Sequence, residues 1–397
     1  KLVDAADRMR VSYRQAKRLL ARFRSQGDAG LVHRRRGSPS TRAKAPELRE
    51  AVLEGCRGRL SGLGPTLAAE KLAEEGLLVN HETLRRWLIA DGQWQRARKR
   101  GPHRSRRERK ARFGEMLQID GSFHAWLGPE HRRDCLMNLV DDATGTTLSL
   151  LAEEETTEAA MRVLWCWVKR YGMPRALYLD RKSVYLATRP PTPEEQLAGK
   201  DPLTVFGMAC EKLGIELITA YSPQAKGRVE RNHAVYQDRF VHELRLKGIT
   251  DIPGANALLE GGFFDALNEK FAKTPRVKKD AHRPLPRGLE LRDVFCTDEV
   301  RCVSHDWCIR HQNRHYQISK LNAPLPKPNA KITVRRWLDG SVYLLHNEHC
   351  LTYTLLDAPP PQTDKREQAK SAPLQKTKPK PADDHPWRKR AIAPQTP

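Results

Sequence analysis

Apolar residues recur at two periods along this chain, and the change of period divides it. Near the start Val11, Ala16, Leu19, Leu20 and Phe23 fall at helical spacing, with Arg14, Lys17, Arg18, Arg22 and Arg24 on the remaining faces. Ser12 is placed to cap such a helix and Gly27 to stop it. The pattern predicts a helix over 12–26, the second and base-reading helix of a helix-turn-helix, with Arg14 and Arg18 facing outward. An amphipathic helix with a solvated basic face is the plainer alternative. Three further helical patterns follow near 46–57, 65–76 and 80–91. In the last, Asn80 can cap a helix that turns Leu84, Trp87 and Leu88 inward and Arg85 and Arg86 outward, a second helix-turn-helix.

Near residue 115 the period shortens to that of strands. Runs at 115–122, 135–140 and 147–152 precede a helical stretch carrying Ala160, Val163, Leu164, Trp167 and Val168; a strand at 175–180 follows. A polar, proline-rich insert at 187–202 separates it from a helix at 205–213, a strand at 215–220 and a long helix at about 224–247. Three strands followed by alternating helix and strand predict an α/β layer with a mixed sheet. Residues 293–356 are again strand-like, with Gly340 between Ile332–Trp337 and Val342–Leu345 as in a hairpin, and a small β-barrel is expected. From Asp357 on, Pro, Lys and Gln dominate and predict a disordered tail. The expected plan is thus all-α modules at 1–44 and 45–92, a linker at 93–112, an α/β core at 113–250, a connection at 251–292, the β-domain at 293–356 and the tail at 357–397. Lys1 falls inside a helical motif, so residues are expected to precede it.

Charge narrows the partners. The 397 residues carry 71 Lys and Arg against 48 Asp and Glu, a formal net charge of +23. Such a field attracts polyanions, nucleic acid before all. Within 93–112 there are ten Lys or Arg and one acid, Glu108, a density no core absorbs and one suited to lying along phosphates. An acidic membrane surface would need a long apolar run or a basic amphipathic anchor, and no stretch approaches about 18 uncharged apolar residues. The eight cysteines are dispersed rather than regularly spaced, which argues for a reducing cytoplasm over a disulfide framework. Cys302, His305, Cys308, His311 and His315 match no standard zinc spacing, and a structural or DNA-facing role is the expectation for them.

Two carboxylates stand at costly places. Asp120 ends a run containing Met116, Leu117 and Ile119, and Asp180 follows Leu177, Tyr178 and Leu179. A carboxylate at the end of a buried strand costs several kcal/mol unless paired or holding a metal. Glu230 lies among Lys226, Arg228, Arg231 and His233, where a helix opens after Ser222-Pro223; acid and cations together suit a site that grips phosphates. Hard oxygen ligands of this kind are what metal-assisted phosphodiester chemistry needs. Asp141, Asp142 and the run Glu153-Glu154-Glu155 compete on composition, but are expected to form a strand-end turn and a solvated acidic face.

The strings QIDGS (118–122), LYLDRKSVY (177–185) and SPQAKGRVERNHAVYQDRF (222–240), with this order of elements, resemble the integrase-like DDE transposases of bacterial insertion sequences. The third string is the most specific. The resemblance spans the chain up to the tail and implies a ribonuclease-H-like core, with Asp120, Asp180 and Glu230 as a catalytic triad holding two Mg²⁺ or Mn²⁺ ions. It implies Lys226, Arg228 and His233 as DNA or active-site neighbours, double-stranded DNA as partner (terminal inverted repeats and target) and a homo-oligomer on that DNA, in a bacterial cytoplasm. Cleavage at element ends and transfer of the 3′-hydroxyl into target DNA is the implied reaction. Two departures stand out: many relatives have Asp-Asn-Gly where this chain has Asp180-Arg181-Lys182-Ser183, and the insert lengthens the interval from Asp180 to Glu230. Rival readings are a DNA-binding regulator that has lost catalysis and a ribonuclease-H-type nuclease that does not join.

Overall fold

In a computed structural model, the described residues are 1–33, 36–37, 43–95, 107–199, 201–219, 227–347 and 349–356. The expectations for Lys226, for most of the basic linker and for the tail lie outside them. The chain forms two compact units, Lys1–Leu285 and a second that begins at Pro286.

The first unit opens with helices α1 (Leu2–Arg8) and α2 (Tyr13–Gln26). The Ser12 side chain accepts a hydrogen bond from the Gln15 N–H at 3.2 Å, and Gly27 ends the helix at φ +60°, a conformation that favours glycine. Phe23, expected on the inward face, is instead exposed, and nothing in the structure explains it. Helices α3 (Pro46–Arg57), α4 (Pro65–Glu74) and α5 (His81–Ala90) close around Val52, Leu53, Leu60, Leu67, Leu72, Leu84 and Leu88. Asn80 caps α5 by accepting from the Glu82 N–H at 2.9 Å.

The sheet that follows is built from β1 (Leu117–His124), β2 (Asp134–Asp141) and β3 (Thr147–Ala152), a meander of antiparallel strands. Helix α6 (Thr157–Tyr171) then crosses to β4 (Ala176–Leu179), which runs parallel to β1. The insert holds the short α7 (Pro193–Leu197), and α8 (Val205–Lys212) leads to β5 (Glu216–Thr219), parallel to β4. The order is β3-β2-β1-β4-β5, a mixed sheet with β1 at its centre. β2 is buried along its whole length, its polar Asp134, Asn138 and Asp141 included. β3 is an edge strand, and its free backbone groups are taken up by two asparagines. Asn256 bonds both N–H and C=O of Leu151 (2.8 and 2.9 Å), and Asn268 does the same for Thr147 (2.7 and 2.9 Å). These come from α10 (Ile252–Leu258) and α11 (Phe264–Phe271), so an edge open to pairing is covered.

Helix α9 (Gly227–Lys247) lies on the sheet through Val229, His233, Tyr236, Phe240 and Leu244, spaced four, three, four and four apart. Its far half packs with Trp126, Leu136, Leu151, Phe264 and Leu267. Its first two turns are held by polar groups: Asn232 Oδ1 accepts from Asn138 Nδ2 at 2.6 Å, and the Val229 N–H donates to Gln118 Oε1 at 3.3 Å. Arg228 pairs with Asp142, whose side chain is 0% exposed, at 2.5 Å. That carboxylate also accepts from Gln118 Nε2 (2.8 Å), the Lys110 N–H (2.8 Å) and Arg107. On its outer side α9 carries the α3–α5 module through Arg239 to Glu70 (2.6 and 3.0 Å) and Glu243 to Lys71 (2.9 Å).

The second unit begins with α12 (Leu291–Val294). It is otherwise strands: β6 (Cys296–Cys302), β7 (Cys308–His311), β8 (Arg314–Ile318), β9 (Lys331–Trp337), β10 (Val342–His346), β11 (His349–Leu351) and β12 (Tyr353–Leu356). The expected hairpin is β9–β10, with Gly340 at φ +87°. The expected closed barrel is not what forms. The strands make two sheets, β11-β10-β9-β6 and β12-β8-β7, and among the described residues no ladder joins them. A shared core of Val303, Ile309, Tyr316, Ile318, Ile332, Val334, Leu344 and Leu351 holds the sheets together in place of a continuous hydrogen-bonded ring.

Asp142→Ala would leave the Arg228 guanidinium, 11% exposed, without its counter-charge. Removing one partner of a buried pair costs roughly 3 kcal/mol. A clear fall in the thermal midpoint is expected, measured by calorimetry on the whole chain; an unchanged midpoint would show that α9 is held without this pair.

Candidate active site

The β1–β4 register brings two of the sequence-selected carboxylates together. Leu117 pairs with Leu177 and Gln118 with Tyr178. Continuing that offset by two residues sets Asp120 beside Asp180, which directly follows β4. Both side chains meet one cation: Lys182 Nζ lies 3.8 Å from Asp120 Oδ1 and 3.3 Å from Asp180 Oδ2. A third carboxylate completes this contact, and it is Glu155, whose Oε2 is 2.5 Å from the same ammonium. The loop before α6 was expected to be a solvated acidic face. Glu153 and Glu154 are exposed, but the Glu155 side chain is only 5% exposed, and its Oε1 accepts from the Tyr185 hydroxyl at 3.1 Å.

Local structure explains the convergence. Lys182 opens a turn in which its carbonyl accepts from the N–H groups of Tyr185 and Leu186, both at 3.0 Å. Lys182 and Tyr185 thereby reach the same carboxylate. Tyr185 is buried and packs edge-on against Phe206, with centroids 5.4 Å apart. On the opposite side, Gly121 makes room: a Cβ there would stand 2.7 Å from Glu155 Oε2 and 2.7 Å from Cys135 Sγ. Burial opposes the Lys182 charge, yet Glu155 bonded to it, with Asp120 and Asp180 nearby, raises its pKa well above the usual lysine value. Burial, with Glu155 adding to it, pushes the Cys135 thiol up to about 12, so this cysteine stays protonated and is no nucleophile at neutral pH.

Glu230 stands apart from this cluster. It lies exposed in the first turn of α9. Three residues on, His233 is buried and points Nδ1 at Asp120 Oδ2, 4.0 Å away. The buried stripe that carries His233 begins at Val229, and Glu230 lies beside it on the exposed side of that first turn. Among the described residues, no three His, Cys, Asp or Glu are close enough to hold a metal ion.

The other cations expected at DNA divide into two groups. Arg14 and Arg18 are exposed one turn apart on α2, and Arg86 and Arg231 are also exposed. Arg231 donates to the Gly227 carbonyl at 2.9 Å. Arg85 is paired with Glu82 at 2.6 Å, and Arg228 is turned inward to Asp142 and to the Arg107 carbonyl. The residues missed from sequence are Glu155, Lys182 and Tyr185. In sequence, Lys182 shows as part of the replacement of Asn-Gly after Asp180 by Arg181-Lys182-Ser183, and Glu155 only as the last of three consecutive acids.

Residues 1–40 match the family described as a helix-turn-helix domain. Over 359 residues the chain is 34% identical to "Putative transposase y4bF" of Sinorhizobium fredii, covering 90% of this chain and 77% of the relative. Over 298 residues it is 32% identical to the transposase for insertion sequence IS1202 of Streptococcus pneumoniae, covering 71% of this chain and 59% of that relative. Solved structures it resembles include the HTLV-2 integrase catalytic core domain in complex with magnesium, at 16% identity and a TM-score of 0.29 over 39% of this chain and 87% of that one. Another is the simian T-cell lymphotropic virus intasome in complex with PP2A regulatory subunit B56 gamma, at 14% identity and 0.33 over 73% and 96%. Scores this low decide nothing. The sequence relationship does decide: the chain belongs to the transposases. Its helix-turn-helix and its relatives mark it as DNA-binding. Among the described residues no helix is long and apolar enough to cross a membrane.

Gly121→Ala should displace the Glu155 carboxylate. The expected outcome is a folded protein destabilised by roughly 1–3 kcal/mol of overpacking, read as a lowered thermal midpoint. A midpoint equal to that of the parent chain would show that the glycine admits nothing.

Proposed function

We propose that this transposase cuts at the ends of its element and transfers the freed 3′-hydroxyl into target DNA, with Asp120, Asp180 and Glu230 holding two divalent metal ions. The observation that supports it is the meeting on one ammonium of Asp120, in the middle of β1, and Asp180, just past the end of the parallel β4. A cation is already accepted at that point by hard oxygen donors, the donor set that suits Mg²⁺ or Mn²⁺ over softer metals. Glu230 would join them from the start of α9, which Arg228, Asn232 and Val229 fix to the sheet.

Bound there, such ions supply Lewis acidity at the scissile phosphate and lower the pKa of the attacking hydroxyl. The chain's own residues supply position. Asp120 and Asp180 come from adjacent strands whose register is fixed by backbone bonds, so their separation is set before DNA arrives. His233 stands against Asp120 and restricts where that carboxylate turns. Arg14 and Arg18 on α2 and Arg86 on α5 would read or grip the terminal inverted repeats, and the basic segment 93–112, Lys226 and Arg231 would hold phosphates. Arg228 is assigned to the fold instead, because its charge is spent on Asp142. Joining two element ends to one target requires two active sites, hence a homo-oligomer on DNA.

The test is Asp120→Asn in an assay with element ends, target plasmid and Mg²⁺. Specific binding to the ends should persist. End cleavage and strand transfer should fall by on the order of a thousandfold, about 4 kcal/mol of transition-state stabilisation. Cleavage and joining at the parent rate would overturn the assignment. A parent chain that binds but never cuts would be a regulator, and one that cuts without joining a nuclease.

A further inference from the structure

The residues after Asp180 call for their own explanation. In place of a short, uncharged turn, the chain puts an ammonium between carboxylates and fastens it. Of the three distances at Lys182 Nζ, that to Glu155 is shortest at 2.5 Å, that to Asp180 is 3.3 Å and that to Asp120 is 3.8 Å. Glu155 is itself fixed: its side chain is nearly inaccessible, Tyr185 donates to its other oxygen, and the missing Cβ of Gly121 leaves the space it fills. Lys182 is 41% exposed and sits on a flexible four-carbon stem, so its head can move while Glu155 cannot. Three carboxylates against one ammonium leave two negative charges at the site, enough to attract a divalent ion that must then contend with the charge already there.

We propose that Lys182 is a resident counter-cation, tethered by Glu155, that competes with the divalent metal ion for Asp120 and Asp180 and so sets how tightly this chain binds metal. The inference rests on the reading of Asp120 and Asp180 as metal ligands, and it assigns Lys182 and Glu155 as positioning residues of that site. Without metal, the ammonium keeps the two aspartates from repelling each other. With metal, it is confined to the Glu155 side, which holds it next to the site without occupying it.

Direct titration of Mn²⁺ into the full chain without DNA, with free Mn²⁺ read by electron paramagnetic resonance at fixed pH and low ionic strength, tests this. Lys182→Met removes the competing charge, and Mn²⁺ affinity should rise roughly tenfold, as expected for a unit charge a few ångströms from the ligands. Lys182→Arg keeps the charge and should stay within about threefold of the parent. Damage to the site would weaken binding, so the sign separates competition from a merely structural role. If Lys182→Met fails to fold, Lys182→Gln carries the same expectation. Affinity equal to or weaker than the parent in the neutral variant, with binding that Asp120→Asn abolishes, overturns the competition and leaves the metal reading standing. A parent chain with no Mn²⁺ binding that Asp120→Asn removes overturns both.

Discussion

The pairing of Arg228 with the fully buried Asp142 is the contact on which the rest of the first unit depends. Asp142 ends the β1–β2 side of the sheet, and Arg228 is the second residue of α9. Burial lowers the pKa of Arg228 while Asp142 works to raise it, the balance expected of a charge taken out of water for the sake of one partner. Such a pair adds little net stability, but it fixes register. It sets where α9 starts on the sheet, and with it where Glu230 and His233 stand relative to Asp120. The same carboxylate draws in Arg107 and the Lys110 N–H, so the end of the basic linker is tied to the same point.

From that fixed start, α9 serves two sides. Its inner stripe buries His233, Tyr236 and Phe240, and its outer side carries the α3–α5 module through Glu70 and Lys71. In the proposed reading, a helical module carried on the same helix as the proposed catalytic glutamate would link DNA recognition to the active site. Position, more than reactivity, is what the chain itself would contribute to the proposed phosphoryl transfer.

Period and strand ends were readable in the residues. The three strands, the crossover helix and the parallel pair follow from apolar spacing, and Ser12, Gly27 and Asn80 act at helix ends as their chemistry suggests. Asp120 and Asp180 could be singled out because an acid in or at the end of a buried strand is expensive, but only Asp180 stands at a strand end; β1 runs on past Asp120 to His124. Glu155 could not, because in sequence it is the last of three consecutive acids and only tertiary contact buries it. Arg228 looked like a phosphate ligand for the same reason: local charge does not say which way a side chain turns, and its partner lies 86 residues away. The barrel expected at 293–356 failed on pairing partners, since alternation predicts strands but not which of them share a ladder.

Whether three carboxylates from β1, the end of β4 and α9 surround one metal site can be measured directly. Fe²⁺ bound in place of Mg²⁺ generates hydroxyl radicals with ascorbate and peroxide, and these cut the chain next to the ion. Breaks near residues 120, 180 and 230, all suppressed by excess Mg²⁺, are the predicted result. Breaks near the first two with none near Glu230, or breaks that Mg²⁺ leaves unchanged, would contradict the account.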